Sequence, residues 1–191
     1  HPSKVLERPK VVYNKNTGKF VMWAHVESAD YSKACAGVAV SDSPVGPFVY
    51  QGSFRPNNAM SRDQTVFVDD DGRAYQFYSS ENNETMYISL LTDDYLKPSG
   101  RFTRNFVKES REAPAVFKYN GKYYMLSSGC TGWSTYVQPV VGKKDAYIAM
   151  FDRWKKKDLE DSRYVWLPVL VKDGEITIPW HEKWNLSIFD K

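Results

Sequence analysis

Thr65-Val-Phe-Val-Asp-Asp-Asp-Gly-Arg-Ala-Tyr-Gln-Phe-Tyr-Ser79 is the stretch on which the fold turns. Apolar residues alternate on either side of Asp70-Asp71-Gly72, and Asp-Gly supplies the positive φ values that a tight hairpin turn demands. The segment therefore reads as two antiparallel strands joined by a glycine turn. Three more segments read the same way: Val11 to His25 across Asn16-Thr17-Gly18, Ala115 to Ser127 across Asn120-Gly121, and Val169 to Ile178 across Asp173-Gly174. No long segment has the helical period, and only Lys155 to Asp161 leaves room for a short helical turn.

The hairpins also recur. Gly18, Gly72 and Gly121 follow one another at 54 and 49 residues. After the first hairpin comes Ala36-Gly-Val-Ala-Val-Ser-Asp-Ser-Pro-Val-Gly-Pro-Phe48, and after the second Met86-Tyr-Ile-Ser-Leu-Leu-Thr-Asp-Asp94, closed by Pro98-Ser99-Gly100. Each unit is thus two hairpin strands, a third strand with a Ser/Thr-Asp exit, and a short fourth near Val49 or Phe102. Four antiparallel strands in about 50 residues is the pattern of a propeller blade, which buries both faces only when neighbours stack on it. The expected class is all-β, a β-propeller. The register then breaks: Val137 to Phe151 looks like another inner pair turning at Gly142-Lys143-Lys144-Asp145, only 21 residues after Gly121. The outer strands expected between Trp133 and Ser134 are missing, through a lost region or a truncated blade. Gly18, Gly72, Gly121 and Gly142 count about four blade cores, where propellers close with about four to eight blades.

Composition narrows the function. The chain has 191 residues, 42% hydrophobic and 26% charged, enough for one ordinary core. No run approaches the roughly 20 apolar residues of a membrane-spanning helix, and no basic-then-apolar signal segment opens the chain. The chain starts at His1, so an upstream portion is expected to have been removed or left out. The net charge of +3 is spread out, and Lys155-Lys156-Lys157 is followed at once by Asp158, Glu160 and Asp161, which argues against nucleic-acid binding. Cys35 and Cys130 match no zinc spacing and read as two free, buried thiols rather than a disulfide. His1, His25 and His181 form no histidine-rich metal cluster. Aromatic residues make up 15% of the chain, which suits both an all-β core and flat contacts with sugar faces.

Each regular unit opens with a charged tag: Glu7-Arg8-Pro9, Arg62-Asp63-Gln64 and Arg111-Glu112-Ala113-Pro114. The carboxylates precede their turn glycines by 11, 9 and 9 residues, so they hold equivalent places in successive blades. The first strand of a propeller blade lines the axis, and Pro9 and Pro114 are accepted at a strand start. Three acids then face one small volume, where repulsion raises one pKa and prepares a proton donor for glycosidic cleavage. The bland reading, in which Arg8, Arg62 and Arg111 simply pair with these acids on the surface, loses to the recurrence.

The motifs Glu7-Arg-Pro-Lys-Val-Val-Tyr-Asn14, Ala36 to Phe48, Ser61-Arg-Asp-Gln-Thr-Val-Phe-Val-Asp-Asp-Asp-Gly72, Arg111-Glu-Ala-Pro-Ala-Val-Phe-Lys118, Ser128-Gly-Cys-Thr-Gly-Trp133 and Asp161-Ser-Arg-Tyr-Val-Trp-Leu-Pro168 resemble glycoside hydrolase family 43, nearest its exo-β-1,3-galactanase branch. The resemblance runs nearly end to end. It implies a five-bladed β-propeller acting with inversion, incomplete here: residues 1–191 would be a single catalytic domain lacking the first blade and part of a later one. It casts Glu112 as the general acid, Asp63 as the carboxylate that orients and tunes it, and Glu7 as the extra glutamate of the galactanase branch. Tyr31 and Thr131 fall near positions that contact the terminal sugar. Trp133 suits sugar stacking or the core equally, while Trp23, Trp166 and Tyr124 read as packing. The aspartate base of the family would precede His1, and the glutamine that replaces it in the branch would lie in the missing stretch; Gln64 and Gln138 do not match its motif.

The expected activity is removal of terminal galactose from a plant-type polysaccharide or oligosaccharide by a secreted or periplasmic monomer. An arabinofuranosidase or β-xylosidase on the same scaffold, or a sugar-binding propeller without turnover, stay open as alternatives. No ligand spacing argues for a metal or other cofactor, and a structural calcium ion near the axis is compatible with the resemblance.

Overall fold

The structure is a computed structural model that describes residues 4–130, 133–153, 155 and 157–190. It is built of antiparallel strands and three short 3-10 turns, at Pro56–Asn58, Leu159–Asp161 and Leu186–Phe189. Among the described residues no helix is long and apolar enough to cross a membrane. The chain divides into two compact units, His1–Pro114 and Ala115–Lys191.

The first unit holds two four-stranded meanders. One runs β1 (Lys4–Asn14), β2 (Lys19–Ser28), β3 (Cys35–Ser41) and β4 (Val49–Phe54); the other runs β5 (Gln64–Val68), β6 (Ala74–Ser80), β7 (Thr85–Leu91) and β8 (Pro98–Asn105). The hairpins and their third and fourth strands thus lie where the repeat places them. Gly18 and Gly72 adopt φ of 68° and 82°, the left-handed region open to glycine without strain. Val21, Trp23, Ala36 and Val38 of the first sheet pack with Val66, Ala74, Leu91 and Tyr95 of the second part of the unit. Both faces of β2 are largely covered, which is why its pattern is nearly continuous rather than alternating.

Polar clasps tie the two sheets together beside this core. The Trp23 indole N–H donates to the Tyr95 carbonyl at 2.8 Å, and the Asn14 amide donates to the Asp93 carbonyl at 2.7 Å. The buried Gln64 amide donates to the Arg8 carbonyl at 2.8 Å and the Trp23 carbonyl at 3.0 Å. Each gives a backbone carbonyl a side-chain donor.

The second unit contains a two-stranded sheet of β9 (Glu112–Tyr119) and β10 (Lys122–Ser128), whose first residues belong to the preceding unit. It also contains a four-stranded meander of β11 (Trp133–Pro139), β12 (Tyr147–Arg153), β13 (Arg163–Lys172) and β14 (Glu175–Thr177). Ala115, Phe117, Val137, Ala149 and Val169 form its core. The sequence reading needs three corrections. Among the described residues β10 pairs only with β9, and the strand β11 runs unbroken through Trp133 and Ser134, where the sequence led us to expect a gap. Cys35 is buried as expected, whereas Cys130 is exposed, and neither is in a disulfide. Trp23 is buried, and Tyr124 stacks on Phe117, but Trp166 is 54% exposed because its side chain stands on the open face of β13.

Candidate active site

The geometry starts from a fault in β1. Glu7 pairs with His25 and Lys10 with Trp23, so Arg8 and Pro9 together stand opposite Ala24. That is a β-bulge, which bends the strand and re-aims its side chains. Arg8 sits at φ 52°, in the left-handed region that a non-glycine residue enters at a cost of about 1–3 kcal/mol. The left-handed backbone recurs in Glu112-Ala113-Pro114, where Ala113 also has φ 52°. Both Glu-x-Pro tags therefore carry a left-handed kink directly after the carboxylate.

These kinks bring backbone groups to the acids and their neighbours. The Arg8 carbonyl receives the Gln64 amide, next in sequence to Asp63. The Ala113 N–H donates to the Asp63 carboxylate, which sets Asp63 beside the Glu112 segment. Asn83 donates from Nδ2 to Glu112 Oε2 at 3.3 Å. Arg62 reaches the Tyr31 carbonyl and the Asn82 side chain, and Arg111 lies 3.9 Å from Glu109. These two arginines are thus engaged elsewhere than on Asp63 and Glu112.

His25 is the centre that sequence reading missed. Its Nδ1 lies 3.2 Å from Glu7 Oε2 and 4.0 Å from Asp63 Oδ1, and its Nε2 lies 3.2 Å from Glu27 Oε1. The Nδ1 contacts are those of an ion pair, without the alignment of a hydrogen bond. Tyr31, itself at φ 57°, donates its hydroxyl to Glu7 Oε1 at 2.7 Å. So Glu7, Asp63 and Tyr31 gather around His25, and the Glu112 segment is joined to Asp63 through the Ala113 N–H. Thr131 lies outside the described residues, as does the side chain of Trp133, whose backbone opens β11.

The electrostatics follow from these contacts. The close contact with His25 lowers the Glu7 pKa against the opposing effect of burial, helped by Tyr31 and the Arg8 charge. Burial works against charge on His25, but the Glu7 and Glu27 carboxylates and the Asp63 charge outweigh it and raise its pKa. Burial pushes the Asp63 pKa up, with the Glu7 charge adding to it and Arg8, His25 and the Ala113 N–H pulling the other way. Tyr31 is pushed up to about 12, chiefly by its bond to Glu7. One acid that stays ionised and one that holds its proton longer is the division that acid–base chemistry uses.

Glu7, His25 and Asp63 present donor atoms within 4.8 Å of one another, the spacing of a metal-binding trio. The donor set fits poorly. Both ring nitrogens of His25 face carboxylates, the arrangement of an imidazolium, which has no lone pair for an ion. A cavity of about 720 Å³ in the second unit is lined by residues such as Tyr119, Lys143, Val171 and Asp190, none of them a candidate acid.

A model of the glycosyl hydrolases family 43 matches residues 10–160. The chain belongs to this family. The family 43 match takes in Asp63 and Glu112 and begins three residues beyond Glu7. A family 43 β-1,3-galactosidase of known structure is 40% identical, with a TM-score of 0.94 over 98% of this chain and 48% of its own. A second family 43 β-1,3-galactosidase, solved with galactodeoxynojirimycin, is 35% identical, with a TM-score of 0.91 over 96% of this chain and 78% of its own. An exo-β-1,3-galactanase from Phanerochaete chrysosporium, solved with β-1,3-galactotriose, is 31% identical, with a TM-score of 0.86 over 93% of this chain and 49% of its own. The chain thus spans about half the length of the first and third of these relatives. No curated protein sequence matches closely enough to count as a relative.

Proposed function

We propose that this family 43 chain is part of a five-bladed β-propeller enzyme that removes terminal galactose from β-1,3-galactan-type chains with inversion. The observation that carries the reading is the convergence of Glu7, Asp63 and the Glu112 segment through His25 and the Ala113 N–H. The likeness to a β-1,3-galactosidase and to an exo-β-1,3-galactanase supports the choice of sugar.

In this mechanism Glu112 donates its proton to the glycosidic oxygen as the bond to the anomeric carbon breaks. Water attacks that carbon from the opposite face, which inverts it. Asp63, held by the Ala113 N–H, orients the Glu112 segment and sets the local charge against which the acid titrates. Glu7, kept ionised by His25 and Tyr31, accepts hydrogen bonds from sugar hydroxyls and offsets the positive charge that develops on the ring. The reading calls for no cofactor and for a secreted or periplasmic monomer acting on plant-type polysaccharide.

Glu112→Gln in the full-length protein is the test. The amide keeps the shape but has no proton to give, so turnover of β-1,3-galacto-oligosaccharides is expected to fall about 10²–10⁴-fold while binding, measured by calorimetry, persists. Unchanged turnover would remove Glu112 from the role of acid. Release of arabinose or xylose but no galactose by the unmodified protein would defeat the sugar assignment.

A further inference from the structure

Glu27 is the most deeply placed carboxylate of the first unit, with its side chain fully buried. It has no route to a substrate. Its described partners are His25 Nε2 at 3.2 Å and the Ser28 N–H at 3.2 Å. A buried anion is expensive unless a cation or several donors face it. His25, 3% exposed, stands between Glu27 and Glu7 with one ring nitrogen toward each. All three belong to one hairpin: Glu7 on β1 is the register partner of His25 on β2, and Glu27 follows two residues on, on the same face of the strand.

We infer that Glu27 acts through His25 as a buried charge clamp that keeps Glu7 ionised and fixed in the site, making Glu27 and His25 positioning residues. The inference rests on the reading of Glu7 as a site acid and adds what lies behind it. The groups facing His25 are Glu7 from β1, Glu27 from its own strand, Tyr31 from the loop after β2, and Asp63 from the segment entering β5. All four are acids or an acid-bonded phenol, and the charge of Arg8 acts on Glu7 and Asp63. The balance around the ring favours imidazolium, in line with its raised pKa. Without Glu27, one of two carboxylates holding that proton is gone. Glu7 then faces a ring that is neutral at lower pH and free to swing.

The experiment reads ring protonation and turnover separately. In the unmodified protein, nitrogen NMR of the imidazoles at pH 7 is expected to show His25 with both nitrogens protonated; a neutral single-tautomer ring would overturn the clamp with no variant needed. In Glu27→Gln, the His25 pKa is expected to fall by about one unit or more. The kcat on β-1,3-galactobiose should drop about tenfold with KM changed little, and the alkaline limb of the kcat–pH profile should move to lower pH. Glu27→Asp should recover part of each effect. Equal His25 titration in Glu27→Gln and the parent, or a shifted titration with kcat and its pH profile unmoved, sinks the inference. A parent protein that hydrolyses no galactoside counts against the proposed function instead, and the NMR titrations still decide the clamp.

Discussion

At the scale of single residues, the acids were legible because they repeat, and the histidine was not because it does not. Glu7, Asp63 and Glu112 each precede a turn glycine by a similar interval, so blade equivalence alone groups them. His25 sits inside Trp23-Ala24-His25-Val26, a run that reads as core, and only the register opposite Glu7 shows that it reaches the site. The coupling predicts a signature. Glu7→Gln removes the anion that raises both His25 and Asp63, so both pKa values are expected to move down together, and Tyr31 should fall from about 12 toward its ordinary 10. Side-chain NMR titration checks this, and a move of His25 alone would detach Asp63 from the cluster. The signs also fix a pH window. Glu7, lowered in the fold, contributes stability that is full above its ordinary 4.5 and lost as pH falls through the folded value. His25, raised, contributes stability that is full below 6.5 and lost as pH rises through the folded value. Both contributions are complete between those values, so melting temperature should show a mildly acidic maximum that Glu7→Gln flattens.

At the scale of elements, turn chemistry was the most readable layer. Asp-Gly and Asn-Gly name their turns because only glycine accepts the required φ without strain, and every hairpin so marked is present. The left-handed kinks were unreadable for the converse reason. Arg8 and Ala113 take left-handed φ that neither residue prefers, and the surrounding sheet imposes it. Two glycines separate backbone from packing effects. A Cβ on Gly72 meets nothing within 4 Å, so Gly72→Ala should cost only the strain of φ 82°, about 1 kcal/mol. A Cβ on Gly37, whose φ is ordinary, lies 2.5 Å from Val26 Cγ2, so Gly37→Ala should cost roughly 1–3 kcal/mol by overpacking. Urea denaturation of the two variants is the comparison, and Val26→Ala should rescue Gly37→Ala while leaving Gly72→Ala unchanged.

At the scale of the whole molecule, the four-stranded repeat was plain in the sequence, while the continuous strand at the expected gap was not. Trp133 and Ser134 read as the edge of a gap because motif likeness stops there, yet β-pairing with Arg153 and Asp152 carries the strand straight through them. Hydrogen-bonded register is a long-range property, and a local motif does not encode it. The burial of Trp23 has an optical consequence. It is the only tryptophan in residues 1–114, it is wholly shielded, and Trp166 and Trp180 stand in solvent. Iodide should therefore extinguish the red part of the emission and leave a blue, unquenched component from Trp23. Trp23→Phe should erase that component, and its fading on heating would let the melting of the first unit be watched in the intact chain with no dye attached.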